Sequence, residues 1–344
     1  MKKFLLVPMA LALTACPPPE GHVYSASSPE ASERARADLQ PVLDRHGFDG
    51  DLRVSGGRLD GARVGRMRVW PWASVTKQIV AVMVMQEVEA GRLDLDTPVS
   101  DYVDWPESSE DFVPPTLRQL LKHQSGLLDQ EPRFGQPDAV PPEDYECSRQ
   151  IDAAGGAFVY NNCDTIIAAS VLEALTRHSI GELFHERIAA PLGLASSGFA
   201  TAETPLADSR DGSLTPHDVS LYGAAGGLAG TPEGLVVVSR ALLDGRLLGE
   251  AARAEMWRGD PELGYTALGQ WDVTLPLDGC DAPVRIIERR GAVPGYQARN
   301  FILPDLGIVV VAFIGRSEEN YSFGEPWSGE GLSYDLLSAA ACGD

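Results

Sequence analysis

Strand-forming sequence is concentrated at the two ends of this chain, and helix-forming sequence fills the middle. Near the beginning, Arg53-Val54-Ser55 lies between turn-forming glycines. Near the end, residues 284–287 read as a strand, and residues 300–303 turn at 304–307 into the apolar run 308–314. This order predicts an α+β fold in which both ends of the chain build one sheet and a helical lobe is inserted between them.

The clearest helical pattern begins at Ser74. Its apolar positions form a broad stripe that stops before Gly91: Ile79, Val80, Val82, Met83, Val84 and Val88. Further helices are predicted over 117–122, 165–175, 180–188 and 232–243, with a closing helix over 334–341. We therefore expect one compact domain over 33–344, with a sheet lobe at about 33–72 and 245–344 and a helical lobe at about 73–244.

The N-terminal segment has the features of an export signal. Lys2 and Lys3 precede an apolar run over 4–13 that is too short to span a membrane. Leu13-Thr14-Ala15-Cys16 resembles the bacterial lipobox, in which the cysteine is lipidated; the alternative is an ordinary signal peptide with a chance cysteine. Residues 1–15 are thus expected to be removed, and residues 16–32 to form an extended tether. The domain would hang from an inner or outer membrane of a bacterial envelope, facing the periplasm or the exterior.

The chain is strongly acidic. Its formal net charge is −21, and it becomes −23 without residues 1–15 because two lysines leave and no acidic residue does. Such a charge argues against nucleic acid or anionic lipid as partners, and solubility is its simplest explanation. We expect a monomer whose partners are a small-molecule or peptide substrate and, through the lipid anchor, a membrane.

Four cysteines follow Cys16, and an even number in an exported chain indicates two disulfides with three possible connectivities. We favour Cys147 with Cys163, which closes a short loop, and Cys280 with Cys342, which would pin the closing helix. Buried free thiols are the alternative. A metal site is not indicated, since no pair has close ligand spacing and His185-Glu186 lacks a second histidine four residues after the first.

Lysine is scarce, and one lysine lies a helical turn after a serine. Beyond the signal only Lys77 and Lys122 remain, beside 24 arginines. In Ser74-Val75-Thr76-Lys77 the amine can reach the serine hydroxyl, and a desolvated lysine, unlike arginine, can lose its proton. The pattern predicts an activated serine nucleophile at a helix start, where backbone N–H groups can stabilise an oxyanion. The alternative is a solvated lysine on a helix flank.

A second element is Tyr160-Asn161-Asn162, which precedes an apolar helix. In extended backbone, side chains two residues apart project to the same side, so Tyr160 and Asn162 together offer a proton shuttle and a hydrogen-bond clamp. Taken alone, such a segment is more often a turn.

A third element is the run from Arg289 to Tyr296, in which two arginines on a strand lead into Gly291 and Gly295. Glycines let a substrate approach the backbone closely. The alternative is a basic strand edge followed by a turn.

In this order and spacing, the three elements resemble the motifs of the serine β-lactamase and penicillin-binding protein superfamily, especially its branch of class C β-lactamases, D-Ala-D-Ala carboxypeptidases and esterases. The resemblance runs from about Phe48 to Gly315 and includes connecting segments at 89–99, 117–127, 191–194 and 225–228. It implies a β-lactamase/transpeptidase-like fold, an antiparallel sheet flanked by helices. His123 and Ser125 lie in a segment that is structural in that family.

The resemblance also implies roles for individual residues. Ser74 would attack a carbonyl, Lys77 and Tyr160 would share the proton transfers, and the backbone N–H groups of Ser74 and Ala292 would hold the oxyanion. Asn162, Arg289, Gly291 and Ala292 would bind substrate. No metal or organic cofactor is required. No Gly-x-Ser-x-Gly occurs in the chain, which sets aside the other common serine-hydrolase layout.

The chain departs from the family at the third element, where Arg289-Arg290-Gly291 stands in place of Lys or His, any residue, and Gly. Arginine keeps the charge and suits a carboxylate but cannot transfer protons, so we expect carboxylate or electrostatic recognition to survive and lactam turnover to suffer. A register slip of one residue would exchange Arg289 for Arg290. The sequence does not decide whether the substrate is a peptidoglycan peptide, a β-lactam or an ester. The alternative function is a catalytically silent binding protein on the same fold.

Overall fold

The computed structural model describes residues 28–105, 113–129, 147, 152–212 and 214–342. Its helices are α1 Pro29–Arg45, α2 Val75–Glu89, α3 Leu117–Leu121, α4 Asn162–Thr176, α5 Ile180–Phe184, α6 Ala190–Leu192, α7 Pro216–Ser220, α8 Gly223–Gly226, α9 Pro232–Leu243, α10 Glu250–Met256 and α11 Leu332–Cys342. Its strands are β1 Asp51–Ser55, β2 Arg63–Val64, β3 Trp70–Pro71, β4 Gly198–Phe199, β5 Leu228–Gly230, β6 Thr266–Ala267, β7 Gln270–Leu275, β8 Val284–Val293, β9 Tyr296–Leu303 and β10 Ile308–Ile314.

Both ends of the chain contribute to one large sheet, as the strand pattern predicts. Seven antiparallel strands have the order β2-β1-β10-β9-β8-β7-β6. The early strand β1 pairs with the last strand β10, with Val54 opposite Val310. A small second sheet, β3-β5-β4, pairs β3, just before α2, with two strands from the helical part of the chain. The antiparallel sheet with an inserted helical lobe is therefore confirmed.

Strand β10 shows how the sheet is covered. Val309, Val311 and Phe313 belong to the hydrophobic cluster on the side of the helical lobe, while Val310 and Ala312 belong to a cluster on the opposite side. Because successive side chains of a strand point to opposite faces, a continuous apolar run such as β10 requires cover on both. Helices α1 and α11 provide that cover on one face, and α9 and α2 provide it on the other.

Strand β7 is not predicted by the sequence pattern. Within it Gln270 and Val273 are buried, whereas Asp272 is half-buried and Thr274 is exposed. This mixture lacks the clean alternation that identifies a half-buried strand. The extended conformation of β7 is instead stabilised by its antiparallel pairing with β8. Strand β8 is also longer than the predicted 284–287 and carries the third sequence element within the sheet.

The N-terminal boundary of the domain lies earlier than we assigned it. We placed residues 16–32 in the tether, but α1 begins at Pro29, and the Ser28 hydroxyl accepts a hydrogen bond of 3.2 Å from the Ala31 amide. Ser28-Pro29-Glu30 combines an N-cap, a first-turn proline and a first-turn acid, which outweigh the low apolar content around them. The export signal and Cys16 lie outside the described residues.

Helix α2 runs through the centre of the helical lobe. It is buried on all sides and packs against α4, α8, α10 and strand β8. A helix that buries residues around its whole circumference needs such a central position. The start of α2 therefore lies between the sheet and the helical lobe. Helix α9, which we assigned to the helical lobe, packs against β1 and β10 of the sheet.

The structure contains both disulfides that we favoured. Cys147 is bonded to Cys163 at the start of α4, and Cys280 is bonded to Cys342 at the end of α11. The second bond ties the closing helix to the loop before β8. Within the described ranges, no helix has the length and apolar content that crossing a membrane would require.

Candidate active site

Ser74 lies immediately before α2, at a strained turn. The preceding Ala73 has a φ of 47°, in the left-handed region that a residue with a Cβ rarely adopts. The turn is held by the Trp72 amide, which donates to the Leu228 carbonyl at 2.8 Å, and by the Val75 amide, which donates to the Trp72 carbonyl at 3.0 Å. Ser74 is thus presented at the N-terminus of a buried helix, where its hydroxyl makes no cap bond and is available to other side chains.

The Lys77 amine is buried beneath the serine. Lys77 is 1% exposed, and its Nζ donates to Ser74 Oγ at 3.2 Å, Asn162 Oδ1 at 2.7 Å and the Ala225 carbonyl at 2.7 Å. Burial lowers its pKa from the ordinary value, Tyr160 opposes that change and Arg289 adds to it. Lys77 is therefore a desolvated cation next to the predicted nucleophile, as the Ser-x-x-Lys spacing requires.

The Tyr160 hydroxyl completes the contact with the serine. It donates to Ser74 Oγ at 2.6 Å. Two cations lie near the phenol ring: Lys77 Nζ is 5.0 Å and Arg289 Cζ is 5.6 Å from the ring centroid. Burial alone would raise the pKa of the phenol, but Lys77 first and Arg289 second outweigh it and lower the pKa to about 8. At that value a useful fraction of phenolate is present near neutral pH, which is the state needed to accept a proton.

The two asparagines after Tyr160 lie at the start of helix α4 and not in the extended segment that we predicted. Asn161 is the N-cap of α4, where its side chain accepts from the Cys163 amide, and Asn162 is the first residue of the helix. The Asn162 side chain still points into the site, because its Oδ1 accepts from Lys77. The capping signal of Asn161 is what changes the geometry.

Strand β8 places Arg289, and not Arg290, against the serine. Arg289 is 1% exposed, and it donates from Nε to the Ser74 carbonyl at 2.7 Å and from Nη2 to the Tyr160 hydroxyl at 3.1 Å. Arg290 forms ion pairs with Glu288 at 2.7 Å and with Glu325 at 2.5 Å. Both arginines line the cleft, but each already has protein partners.

Gly291 brings strand β8 into direct contact with the turn at Ser74. A Cβ at this position would lie 2.5 Å from the Trp72 carbonyl oxygen and 2.9 Å from the Ser74 amide nitrogen. Only glycine permits this approach. The next residue, Ala292, lines the cleft beside Ser74. The two amides expected to hold an oxyanion are therefore on adjoining segments.

The site opens into a cleft of about 630 Å³. Its walls are Ser74, Tyr160, Asn162, Tyr222, Trp271, Arg289, Arg290, Ala292, Val293, Pro294, Ser317, Glu318 and Glu319. The structure thus brings together Ser74, Lys77, Tyr160, Asn162, Arg289, Gly291 and Ala292, which the sequence elements single out. Chemically, the arrangement offers a nucleophile, a phenol of low pKa and two buried cations around one oxygen.

Comparison with known proteins identifies the family. A model of the Beta-lactamase family matches residues 29–327 of the chain, a range that includes every site residue described above. The chain belongs to the Beta-lactamase family. Together with the fold, this match confirms the family resemblance drawn from the three sequence elements.

Curated members with partial similarity include an esterase and a teichoic acid hydrolase. Esterase EstB of Burkholderia gladioli is 29% identical over 197 residues, which cover 50% of this chain and 49% of that protein. Teichoic acid D-alanine hydrolase of Staphylococcus aureus (strain MRSA252) is 28% identical over 137 residues, 37% of this chain and 31% of that protein. The chain therefore spans about half or less of the length of these relatives.

Solved structures share the fold over most of the chain. The D-stereospecific amidohydrolase from Streptomyces sp. has a TM-score of 0.70 at 23% identity, and the match covers 90% of this chain and 99% of that one. The penicillin binding protein from Bacillus halodurans has a TM-score of 0.63 at 23% identity, covering 81% and 94%. Similarity at this level of identity establishes the fold alone.

Several residues of this Beta-lactamase family site were missed by reasoning from the sequence. Tyr222 and Trp271 line the cleft, and the Trp271 ring lies 5.1 Å from the Arg289 guanidinium. Trp271 is on β7, the strand whose pattern is too mixed to predict. Glu318 and Glu319, in the loop after β10, also face the cleft. Only tertiary pairing brings these segments to the site, so no local signal identifies them.

Proposed function

We propose that this protein is a serine hydrolase that cleaves an ester or amide through a covalent acyl-enzyme on Ser74. The observation that carries the proposal is the 2.6 Å hydrogen bond between the Tyr160 hydroxyl and Ser74 Oγ, in a site where two buried cations lower the pKa of the phenol. A nucleophile within hydrogen-bond reach of a base that is itself oriented by a third group is the general arrangement of acyl transfer.

The proposed reaction begins with proton transfer. The Tyr160 phenolate accepts the Ser74 proton as Oγ forms a bond to the substrate carbonyl carbon, and Lys77 and Arg289 stabilise the phenolate before that transfer. The Ser74 and Ala292 amides hold the carbonyl oxygen as it becomes negative. When the intermediate collapses, the bond to the leaving oxygen or nitrogen breaks, and the leaving group takes the proton from Tyr160.

Deacylation repeats the same steps with water. Tyr160 accepts a proton from the water as its oxygen attacks the acyl carbon, and the bond between that carbon and Ser74 Oγ breaks. Ser74 regains the proton, and a carboxylic acid is released. Lys77 stays in contact with Ser74 Oγ and Asn162 Oδ1 throughout, which fixes the serine relative to the phenol.

Charge in the cleft favours an ester, or a peptide or amide without a carboxylate near the scissile bond, over a cephalosporin. We expected Arg289 to bind a substrate carboxylate, but two of its nitrogens already donate to Ser74 and Tyr160, and Arg290 is paired with two glutamates. Glu318 and Glu319 make no ion pair with any residue in the described ranges. An anionic substrate group would therefore meet two carboxylates without an ion-pair partner in the described part of the chain and an Arg289 guanidinium whose Nε and Nη2 are already engaged.

The relatives support this choice of reaction. One is named an esterase, another a teichoic acid D-alanine hydrolase, and a structural neighbour is a D-stereospecific amidohydrolase. The first name describes ester cleavage, the second describes a hydrolase, and the third describes amide hydrolysis. We propose the same reaction class for this chain, with an acyl group small enough for a cleft of about 630 Å³.

Two probes test the proposal. Purified protein is treated with a fluorophosphonate and with a fluorescent penicillin, and labelling of the wild type is compared with Ser74→Ala. Labelling that vanishes in Ser74→Ala supports acyl transfer, and absence of labelling by both probes favours a catalytically silent protein that binds cell-wall peptide or a partner. Rates with a nitrophenyl ester, a D-Ala-D-Ala peptide and a chromogenic cephalosporin then rank the substrates. The peptide and the cephalosporin both carry a carboxylate near the scissile bond, so a rate with either of them far above the ester rate would contradict the charge argument.

We also propose that the protein is a lipoprotein of the bacterial envelope, anchored through Cys16. The support comes from Leu13-Thr14-Ala15-Cys16 and the apolar run before it. Membrane fractionation of the full-length chain tests it. The wild type should sediment with membranes and Cys16→Ser should not; equal membrane association of the two proteins would overturn the anchor.

A further inference from the structure

A buried histidine and a buried aspartate form a pair behind Tyr160. His123, just after α3, and Asp164, in the first turn of α4, are 3% and 0% exposed. His123 Nδ1 and Asp164 Oδ2 share a hydrogen bond of 2.7 Å. Neither residue has a part in the acyl-transfer steps described above, yet both border the segment that carries the proposed base.

His123 contacts that segment in two ways. Its ring centroid lies 4.7 Å from the ring centroid of Tyr160, and its carbonyl accepts a hydrogen bond of 2.8 Å from the amide of Val159. The side chain therefore supports the phenol ring while the backbone supports the residue before it. His123 itself is held at a φ of 56°, a left-handed conformation that a histidine adopts only when its surroundings require it.

Asp164 fixes the histidine from α4. The first turn of α4 also carries Asn162, whose Oδ1 accepts a hydrogen bond from Lys77. One helical turn therefore contacts both Lys77, through Asn162, and the histidine next to Tyr160, through Asp164. The Phe158 ring also packs against His123 in a T-shaped arrangement, with 5.6 Å between the ring centroids. The imidazole is thus held by a hydrogen bond to Asp164 and by contacts with two aromatic rings, which leaves it little freedom to rotate.

The surroundings of the pair favour its uncharged form. Burial lowers the pKa of His123 well below its ordinary value, and the nearby charges of Arg289 and Lys77 lower it further. Burial raises the pKa of Asp164 well above its ordinary value; Ser125 and Lys77 oppose this and Asp129 adds to it. In that form the Asp164 carboxyl donates to His123 Nδ1, and the ring proton is on Nε2, which has no hydrogen-bond partner among the described residues.

We propose that His123 and Asp164 are positioning residues for Tyr160: together they hold the phenol ring over Ser74. The inference rests on the proposed acyl transfer for its kinetic consequences, but the hold on Tyr160 itself does not depend on that function. An ionised aspartate here would compete with the phenolate for Lys77, and a protonated histidine would add a third cation, so a neutral pair leaves the balance between Tyr160, Lys77 and Arg289 intact.

The first test compares variants that keep or remove each contact. His123→Asn keeps a residue that tolerates the left-handed backbone but removes the ring; Asp164→Asn keeps an N–H donor for Nδ1, and Asp164→Leu removes it. With a nitrophenyl ester, His123→Asn and Asp164→Leu should lower kcat ~10- to 100-fold with KM within ~3-fold, because the phenol is misplaced while the cleft is unchanged. Asp164→Asn should restore kcat to within ~3-fold of wild type, since its amide donates as the neutral acid does.

A matched control separates positioning from general destabilisation. His46 Nε2 and Asp335 form a second histidine–aspartate pair at 2.8 Å, between α1 and α11 and away from the site. His46→Asn makes the same substitution in a half-buried pair whose Asp335 also contacts Arg45 at 2.8 Å. Its kinetics show whether losing a histidine–aspartate contact remote from the site lowers kcat. It should leave kcat unchanged, and a loss of kcat in His46→Asn equal to that in His123→Asn would overturn the positioning role.

The second test does not depend on hydrolysis. The ionisation of Tyr160 is followed by ultraviolet absorbance, as the difference between each protein and the same protein carrying Tyr160→Phe. Wild type and Asp164→Asn should titrate together near a pKa of about 8, and His123→Asn should titrate higher because its phenol leaves Lys77 and Arg289. Identical titrations of wild type and His123→Asn would refute the inference, as would a clearly lower pKa in Asp164→Asn, which would mean that Asp164 is ionised. Loss of Ser74 labelling with these shifts intact would refute only the proposed function.

Discussion

Arg289 donates from Nη2 to the Tyr160 hydroxyl at 3.1 Å, and this contact joins strand β8 to the proposed base. The same guanidinium donates from Nε to the Ser74 carbonyl at 2.7 Å. Arginine at this position therefore acts on the protein's own phenol, together with Lys77 on the other side. The departure from the family's usual lysine or histidine therefore keeps a cation at this position, in contact with the phenol.

Replacing Arg289 should move the pH dependence of activity. Tyr160 must be ionised to accept a proton, and its pKa of about 8 depends on two cations. Arg289→Gln removes one of them, which destabilises the phenolate and raises its pKa by ~1 unit or more. The acidic limb of kcat/KM for an ester should move to higher pH by that amount, with a ~10-fold loss at pH 7. Arg289→Lys should restore much of the loss, and an unshifted limb in Arg289→Gln would show that the cation does not tune Tyr160.

The two lysines of the domain provide a matched pair of substitutions. Lys77→Arg keeps the charge but forces a larger, permanently protonated group into a buried site with three short contacts, so kcat/KM should fall by ~10³-fold or more. Lys122→Arg affects only an ion pair with Asp260 at 3.3 Å and should change stability by less than ~0.5 kcal/mol. Ester hydrolysis and thermal unfolding of both variants check this. Equal activity of the two variants would contradict a role for Lys77.

Gly291→Ala should damage the site through a backbone collision. The added Cβ would lie 2.5 Å from the Trp72 carbonyl oxygen and 2.9 Å from the Ser74 amide nitrogen. Both are backbone atoms of the strained turn, so relieving the collision would shift the turn itself. We expect a loss of ~1–3 kcal/mol in the free energy of unfolding and a fall in kcat larger than that loss explains. Gly198→Ala is the control, since nothing lies within 4 Å of its Cβ. Wild-type kcat in Gly291→Ala would show that the close approach is not needed.

The disulfides should differ in their effect on the site. Cys280 and Cys342 are 62 residues apart, and on the chain-entropy model their bond contributes ~4 kcal/mol; Cys147 and Cys163 are 16 apart and theirs contributes ~3 kcal/mol. Serine pairs at either disulfide should lower the midpoint of denaturant unfolding. Only the Cys147/Cys163 pair should also lower kcat, because Cys163 adjoins Asn162. A kcat loss confined to the Cys280/Cys342 pair would contradict this assignment.

Local patterns predict the parts of this fold that depend on local chemistry. The apolar spacing of α2, the apolar run of β10 and the order of Ser74, Tyr160 and Arg289 along the chain are all readable from short windows. Composition alone places the tether boundary at residue 32, too late in the chain, because it does not register the N-cap at Ser28 that begins α1. A helix start was likewise missed at Asn161, which turns the expected extended segment into a capped helix.

The rest depends on tertiary pairing. Whether Arg289 or Arg290 faces Ser74 is decided by the register between β8 and β9, with Arg289 opposite Asn300, and one residue of slip would reverse it. Trp271 reaches the cleft only because β7 pairs with β8. His123 gains its position from a left-handed backbone and a contact with Asp164 that is 41 residues away in sequence. No short window contains these relationships.

The most direct test of the central claim is the mass of the protein during turnover. The enzyme is mixed with a slowly hydrolysed nitrophenyl ester, quenched in acid and analysed by intact mass spectrometry, followed by peptide mapping. The account predicts an increase equal to the acyl group minus one proton, located on the peptide that contains Ser74 and absent from Ser74→Ala. Hydrolysis at the wild-type rate by Ser74→Ala, or an acyl group on any other residue, would contradict it.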